Sequence, residues 1–231
     1  MNVSVIVTSF NRLKYLARSM ESIKSQLEEG DEFVIVEDGK ETEFEWRRYL
    51  DDQKVNYQFF KTGNGIYRSG VKAKNVALRN SKNPIIIIND PEVMHISPCI
   101  IEMKKRLAEN PRLFIVPGEG HFGRWPNDTY EESTSIIEKS MSPFIGAVMR
   151  DELIAVGGWD ERFVYWGNDD TDLMHRLGLN GCQTDCMTGL KFFHQFHNRP
   201  PAEAMGDYNE GFLYEKNKSI VANIGKEWGN G

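Results

Sequence analysis

The chain has 231 residues, 40% hydrophobic and 27% charged, with a net charge of −6 and a pI near 5.5. That length supports one sizeable core, and scattered lysines and arginines give no massed basic surface for nucleic-acid backbones. Ile85 to Ile88, the longest apolar run, is too short to span a bilayer, no charged leader is visible, and Cys99, Cys182 and Cys186 are too few for a disulfide framework, so a single-domain, cytoplasmic protein is expected.

Val3 to Thr8 is a β-branched run that predicts a buried strand, and Leu13, Leu16, Ala17, Met20, Ile23 and Leu27 then recur at helical spacing until Gly30. A second strand, Glu32 to Glu37, ends at Asp38-Gly39. A helix around Phe44 to Leu50 precedes a third strand, Val55 to Phe60, and the turn signal Gly63-Asn64-Gly65. A helix over Val71 to Asn80 leads to the strand Pro84 to Asn89, whose isoleucines suit cover on both faces. Alternating β and α elements predict a mostly parallel sheet. A helix at Ser97 to Glu109 and a strand at Leu113 to Val116 follow. The long Gly/Pro/polar stretch from Pro117 to Pro143 then reads as a functional loop. Phe144 to Met149 resumes as a strand, Asp169 to Leu179 reads as a helix with Leu173 and Leu177 inward, and Gly189 to His197 is a short aromatic strand or loop.

In such sheets ligands lie beyond the carboxyl ends of the strands, which directs attention to Thr8 to Arg12, Glu37-Asp38 and Asn89 to Glu92. In Asp90-Pro91-Glu92, an extended backbone would put both carboxylates on one side, as hard oxygen ligands for magnesium or manganese; the plain reading is a polar turn. His194 and His197 stand among aromatics and can ligate manganese or zinc, or serve as hydrogen-bonded structural groups, and Arg199 suits a phosphate. A zinc site from Cys182, Cys186, His194 and His197 is disfavoured by the short Cys186-to-His194 spacing. Asp38 could accept a hydrogen bond from a base or ribose. Arg12, Lys74 and Arg79 could approach phosphates, with a solvated helix charge the better reading for Arg79. Trp125 and Trp166 could stack on a sugar, or anchor a core.

The densest signal is Gly157 to Asp172, where paired glycines, aromatics and five carboxylates occupy sixteen residues. Asp169, Asp170 and Asp172 exceed the single acidic residue that a helix start needs, so a substrate hydroxyl, a cation or a basic partner should face them.

Taken in order, these motifs resemble a glycosyltransferase of the GT-A fold. Val5 to Arg12 is similar to the first strand and loop of the family 2 group, Val36 to Gly39 to its base-binding acidic turn, and Gly70 through Lys74-Asn75 to its Gly…Arg-Asn segment. Asp90-Pro91-Glu92 falls at its Asp-x-Asp metal motif, with Glu92 in place of the last aspartate. Gly157 to Asp172 resembles the galactosyltransferase-type C-terminal segment, with Asp169 in place of glutamate, and His194 to His197 its closing His-x-x-His.

The resemblance covers about residues 3 to 199. It implies an α/β GT-A domain with a nucleotide-sugar half at 1–92, an acceptor and catalytic half at 93–199 and a tail at 200–231. It further implies inverting transfer of a sugar from a nucleotide donor, most simply a UDP-sugar, to a saccharide or other acceptor hydroxyl, with Mn2+ or Mg2+. Residue by residue, it makes Asp170 the base and gives Asp169 an acceptor hydroxyl, with Trp166, Gly167 and Trp125 beside the sugars. Thr8, Phe10, Asn11, Arg12, Asp38, Lys74 and Asp90 bind the nucleotide. Glu92 with His194 or His197 holds the metal, Asp90 contacts the ribose or a metal-bound water, and Asp172 is structural. A nucleotidyltransferase ranks second, since Ser9 to Arg12 is no glycine-rich phosphate loop, and a non-catalytic nucleotide-sugar binder third.

Overall fold

A computed structural model describes residues 1–63, 69–124, 127, 134–135, 145–164, 167–198 and 219–230. The first half alternates β1 (Val3–Ser9), α1 (Leu13–Lys24), β2 (Glu32–Glu37), α2 (Glu43–Gln53), β3 (Tyr57–Lys61), α3 (Val71–Asn80) and β4 (Ile85–Asn89). There follow β5 (Val93–His95), α4 (Cys99–Glu109), β6 (Leu113–Gly123), β7 (Thr134–Ser135) and β8 (Ile145–Met149). Last come α5 (Arg150–Ala155), α6 (Asp169–Leu179) and β9 (Gln183–Gln195).

Among the described residues the strands form one sheet in the order β3-β2-β1-β4-β8-β6-β9-β5, with β7 beside β6. The parallel arrangement expected from alternation holds for β1 to β4. Beyond β4 the sheet is mixed: β8 is antiparallel to β4 and β6, β9 is parallel to β6, and β5 is antiparallel to β9.

Period-two alternation along the central strands feeds two cores. Val3, Val5, Val7, Phe33, Ile35, Ile85 and Ile87 pack with Leu16, Met20 and Ile23 of α1, Trp46 and Leu50 of α2, and Met103 and Leu107 of α4. The intervening Ile6, Val34, Val36, Ile86 and Ile88 pack with Val71 and Val76 of α3, Leu153 of α5, and Leu173 and Leu177 of α6. Helix α2 begins with a reciprocal capping box, Thr42 accepting from the Glu45 amide while the Glu45 carboxylate accepts from Thr42.

The second half departs from the sequence reading in identifiable places. β6 runs on to Gly123 where a loop was expected. Its glycines serve close approach rather than a turn: a Cβ on Gly120 would lie 2.2 Å from the Phe192 ring, and one on Gly118 2.7 Å from the Met187 carbonyl. The aromatic stretch expected as a short strand is the end of β9, which begins at Gln183 with largely exposed residues. β5 and α5 carry no sequence signal, being three and six residues long. Among the described residues no helix is long and apolar enough to cross a membrane.

Candidate active site

The carboxyl ends of β1, β2 and β4 open on one edge of the sheet, and the turns that follow them are tied together. Asn11 adopts φ 58°, a conformation that asparagine tolerates, and its Oδ1 accepts from the amides of Lys40 and Glu41 at 2.5 and 3.2 Å. Buried Glu37 accepts from the amides of Asn11 and Gly39 at 3.1 and 2.7 Å, and a Cβ on Gly39 would lie only 2.5 Å from this carboxylate. Asp38 accepts from the Thr62 hydroxyl at 2.9 Å. Glu41 accepts from the Leu13 amide at 3.0 Å at the start of α1. Desolvation pushes the Glu41 carboxyl up to about 7 despite that amide, aided by Glu37 and Glu45. Thr8 is half-buried and faces Gly70, and Phe10 and Arg12 complete the β1–α1 turn.

After β4 the chain does not stay extended. The Val93 amide donates to the Asp90 carbonyl at 3.0 Å, so Asp90-Pro91-Glu92 is a turn with proline at a position it favours, and the alternation expected of an extended strand does not apply. What brings Glu92 to its partners is the next strand: β5 pairs Val93 with His194 of β9, and the Gln195 amide donates to the Glu92 carbonyl at 3.0 Å.

Glu92 is 1% exposed, and its Oε1 lies 2.9 Å from His197 Nε2 and 3.6 Å from His194 Nε2. The Arg12 guanidinium also bonds Oε1. Each histidine turns its Nδ1 to a main-chain carbonyl, His194 to Gln195 at 3.1 Å and His197 to Asn198 at 2.9 Å. A carbonyl only accepts, so in neutral His194 Nδ1 carries the hydrogen and the Nε2 lone pair faces the carboxylate oxygen, while His197, whose Nδ1 also lies 3.5 Å from an Arg12 nitrogen, bonds Glu92 through Nε2. Burial holds His194 down to about 4, hence neutral. Glu92 Oε2 is buried without a hydrogen-bond partner among the described residues. These three side chains offer ligand atoms within 4.8 Å of one another, a set that fits a divalent ion with mixed nitrogen and oxygen donors.

Asp90 feels the charges of both this cluster and α6. Desolvation and the Glu92 charge push it up to about 8, against the pull of Lys74. Lys74, expected at the nucleotide, bonds Asp169 at 3.0 Å and Asp170 at 2.8 Å. Burial alone would favour a neutral amine; Asp169, Asp170 and Asp90 outweigh it and keep Lys74 protonated. Burial raises the Asp169 carboxyl, and Lys74 opposes the rise.

Adjacent residues of α3 do different work here. While Lys74 meets the acids, Asn75 exchanges hydrogen bonds with both the amide and carbonyl of Trp159, at 2.9 and 2.8 Å. The preceding Gly157 and Gly158 have φ of 75° and 66°, and a Cβ on Gly157 would lie 2.3 Å from the Ala222 carbonyl. Asn223 donates to the carbonyls of Gly157 and Trp159, each at 2.8 Å, so the segment 219–230 braces the turn from outside. No sequence signal marks Asn223 or Glu41; Glu37 stands in the acidic turn after β2, and the place of Trp159 in its motif is the one signal for that residue.

Asp172 is structural: it forms a fully buried pair with Arg176 at 2.8 Å, and Arg176 donates to the Val156 carbonyl at 2.7 Å. Cys182 lies 3.4 Å from Glu152, and Glu92, His194 and His197 form the one metal-capable cluster among the described residues, without a cysteine. Arg79 lies over the Trp228 ring at 5.1 Å. Gly167 has φ 120° with open space on its Cβ side, whereas Trp125, Trp166 and Arg199 lie outside the described residues.

Comparison with known proteins agrees with this architecture. The profile of glycosyl transferase family 2 matches residues 4–166, and that of the N-terminal domain of galactosyltransferase matches residues 138–199. A search of curated proteins returns no match. Among solved structures, GalNAc-T7 with UDP, GalNAc and Mn2+ superposes with a TM-score of 0.69 at 14% identity, over 89% of this chain and 46% of the other. S. aureus TarS 1-349 with UDP gives 0.66 at 17% identity, covering 85% and 61%. The mannosyltransferase PcManGT from Pyrobaculum calidifontis with GDP-Man and Mn2+ gives 0.62 at 18% identity, covering 86% and 58%. The chain thus spans 46% to 61% of these structures' lengths. With a family profile spanning most of its length and this sheet beneath it, the chain belongs to glycosyl transferase family 2 and has the GT-A fold.

Proposed function

We propose that the chain is a metal-dependent, inverting glycosyltransferase that moves a sugar from a UDP-sugar to an acceptor hydroxyl. The observation that carries this reading is the convergence of the Glu92, His194 and His197 donors with the acids Asp90, Asp169 and Asp170 at one edge of the sheet. The relatives solved with UDP and Mn2+, or with GDP-Man and Mn2+, support a nucleotide sugar and a metal as the ligand classes. Mixed nitrogen and oxygen donors favour manganese over magnesium, which prefers an all-oxygen shell.

In this reading residues 1–92 hold the nucleotide sugar, with Thr8, Phe10, Asn11 and Asp38 around the nucleoside and Asp90 at the ribose. Residues 93–199 supply the acceptor side. Glu92, His194 and His197 hold the metal, which when bound offsets charge on the diphosphate. Asp170 removes the acceptor proton as the hydroxyl oxygen attacks the anomeric carbon from the face opposite the leaving group, a geometry that inverts the centre. Asp169 orients the acceptor, and Lys74 holds both acids in place while lying next to Asp90 on the donor side.

The test is a thermal-shift screen of UDP, GDP, CMP and dTDP with and without Mn2+, because ligands of the native state raise the melting point. A Mn2+-dependent rise with UDP is the expected result, and the absence of a rise with any of the four nucleotides would sink the reading. In the same screen Asp170→Asn should keep the UDP response, and in a separate assay of UDP release from the sugar donor it should show no transfer; wild-type turnover in that variant would remove Asp170 from the base role.

A further inference from the structure

We propose that Trp159 is a positioning residue for the base, its indole N–H fixing which oxygen of Asp170 takes the acceptor proton. The proposal rests on the assignment of Asp170 as base and adds to it a residue outside the carboxylate cluster.

Trp159 is fully buried, and its Nε1–H donates to Asp170 Oδ1 at 3.0 Å. Lys74 Nζ donates to the same oxygen at 2.8 Å and stands 5.5 Å from the centre of the Trp159 ring. A carboxylate has two oxygens, and here both donors fall on one. With Oδ1 so held, the torsion of the side chain is fixed and Oδ2 is the oxygen left to accept. A buried indole N–H requires a partner, yet the partner here is not another core group: it is a carboxylate that keeps 24% of its side-chain surface exposed.

The tryptophan is itself held on three sides. Asn75 bonds its amide and its carbonyl, Asn223 bonds the carbonyl again at 2.8 Å, and the ring packs in the core with Leu153 and Leu173. The indole is therefore a rigid donor, where Lys74, the other donor to this oxygen, sits on a flexible side chain. In the transfer step the acceptor oxygen forms its bond to the anomeric carbon and the bond from that carbon to the phosphate oxygen breaks, its electron pair leaving with the nucleoside diphosphate. The acceptor proton passes to Asp170 Oδ2. With the indole gone, Lys74 alone holds one oxygen by a flexible side chain and the carboxylate plane can swing away from the acceptor, so loss of the indole hydrogen should lower turnover without touching nucleotide binding.

Trp159→Phe removes the N–H and keeps an aromatic ring, and its crystal structure is compared with that of wild type. The expected result is an Asp170 carboxylate rotated off the wild-type orientation or split between two. An unchanged carboxylate overturns the proposal. The kinetic arm follows UDP release from UDP-N-acetylglucosamine with Mn2+ and with water as the acceptor, whose oxygen bonds the anomeric carbon and whose proton passes to Asp170, at saturating and limiting donor. Trp159→Phe should lose about 10- to 100-fold in kcat with KM within twofold, while Asp170→Asn shows no turnover. Wild-type kcat in Trp159→Phe beside an inactive Asp170→Asn defeats the positioning role alone. An active Asp170→Asn defeats the base assignment, and the proposal with it. Should the phenylalanine variant melt far below wild type, the 3-benzothienylalanine analogue of Trp159, which keeps the shape and replaces N–H by sulfur, carries the same comparison.

Discussion

A carboxylate as buried as Glu92 persists only because cationic and donor groups surround it. Burial alone would raise its pKa; the His197 hydrogen bond and the charge of Arg12 instead hold it down to about 2. Arg12 therefore already supplies positive charge at the oxygen that a divalent ion would need, and the two cations repel. Arg12→Met should tighten Mn2+ binding in the absence of nucleotide by about tenfold, since even a screened charge pair at a few ångströms is worth more than ~1.4 kcal/mol. Calorimetric titration of Mn2+ into the nucleotide-free protein decides it; equal or weaker binding in the variant would show that Arg12 does not compete. Single-residue roles of this kind were only half legible in the sequence. Glu92, His194 and His197 could be named as candidates from their chemistry, but nothing local connects positions about a hundred residues apart. The β5 to β9 register makes that connection, and β5 is three residues long.

At the scale of elements, legibility followed burial. β1, β2 and β4 are covered on both faces and read as continuous apolar runs, and α3 and α6 show their bounds because their inward residues recur at helical spacing. The start of β9 is exposed and polar, and β6 carries glycines that make room for β9, so both escape a reading based on hydrophobic pattern. The segment 219–230 was equally silent, yet it is the outer brace of the Gly157–Trp159 turn. Asn223 has φ 57° and makes three hydrogen bonds to that turn, two from its amide nitrogen and one accepted from Glu161 at 3.1 Å. Asn223→Gly keeps the backbone free to adopt this φ and removes only the side-chain bonds. The expected loss is about 1–3 kcal/mol, or several degrees of melting temperature for a chain of this size. A melting curve superimposable on wild type would mean that the segment lies on the turn without holding it.

At the scale of the whole molecule, buried histidine links folding to pH. His95, the last residue of β5, is 7% exposed and ties that strand to Asn89 at the end of β4 and to Gln26 just after α1. Its Nε2 is 2.7 Å from Asn89 Oδ1, and its Nδ1 is 3.0 Å from Gln26 Nε2. An amide oxygen accepts and an amide nitrogen donates, so the ring is neutral with its hydrogen on Nε2, and burial holds it down to about 3. The ordinary value is near 6.5, so below that pH the unfolded chain takes up a proton that the folded chain refuses. Stability from His95 is thus complete above about pH 6.5 and falls as pH drops toward 3, at up to about 1.4 kcal/mol per pH unit. Glu41 and Asp90, raised in the folded state, work in the opposite sense, so the wild-type curve alone is ambiguous. His95→Gln separates them, because glutamine offers one donor and one acceptor to the same partners and does not titrate. Urea unfolding of both proteins without metal at pH 7.5, 6 and 5 should give a stability difference that is constant above pH 7 and moves in favour of the variant below pH 6. Parallel curves across that range would show that folded and unfolded chains protonate His95 equally, contrary to the hydrogen bonds it makes.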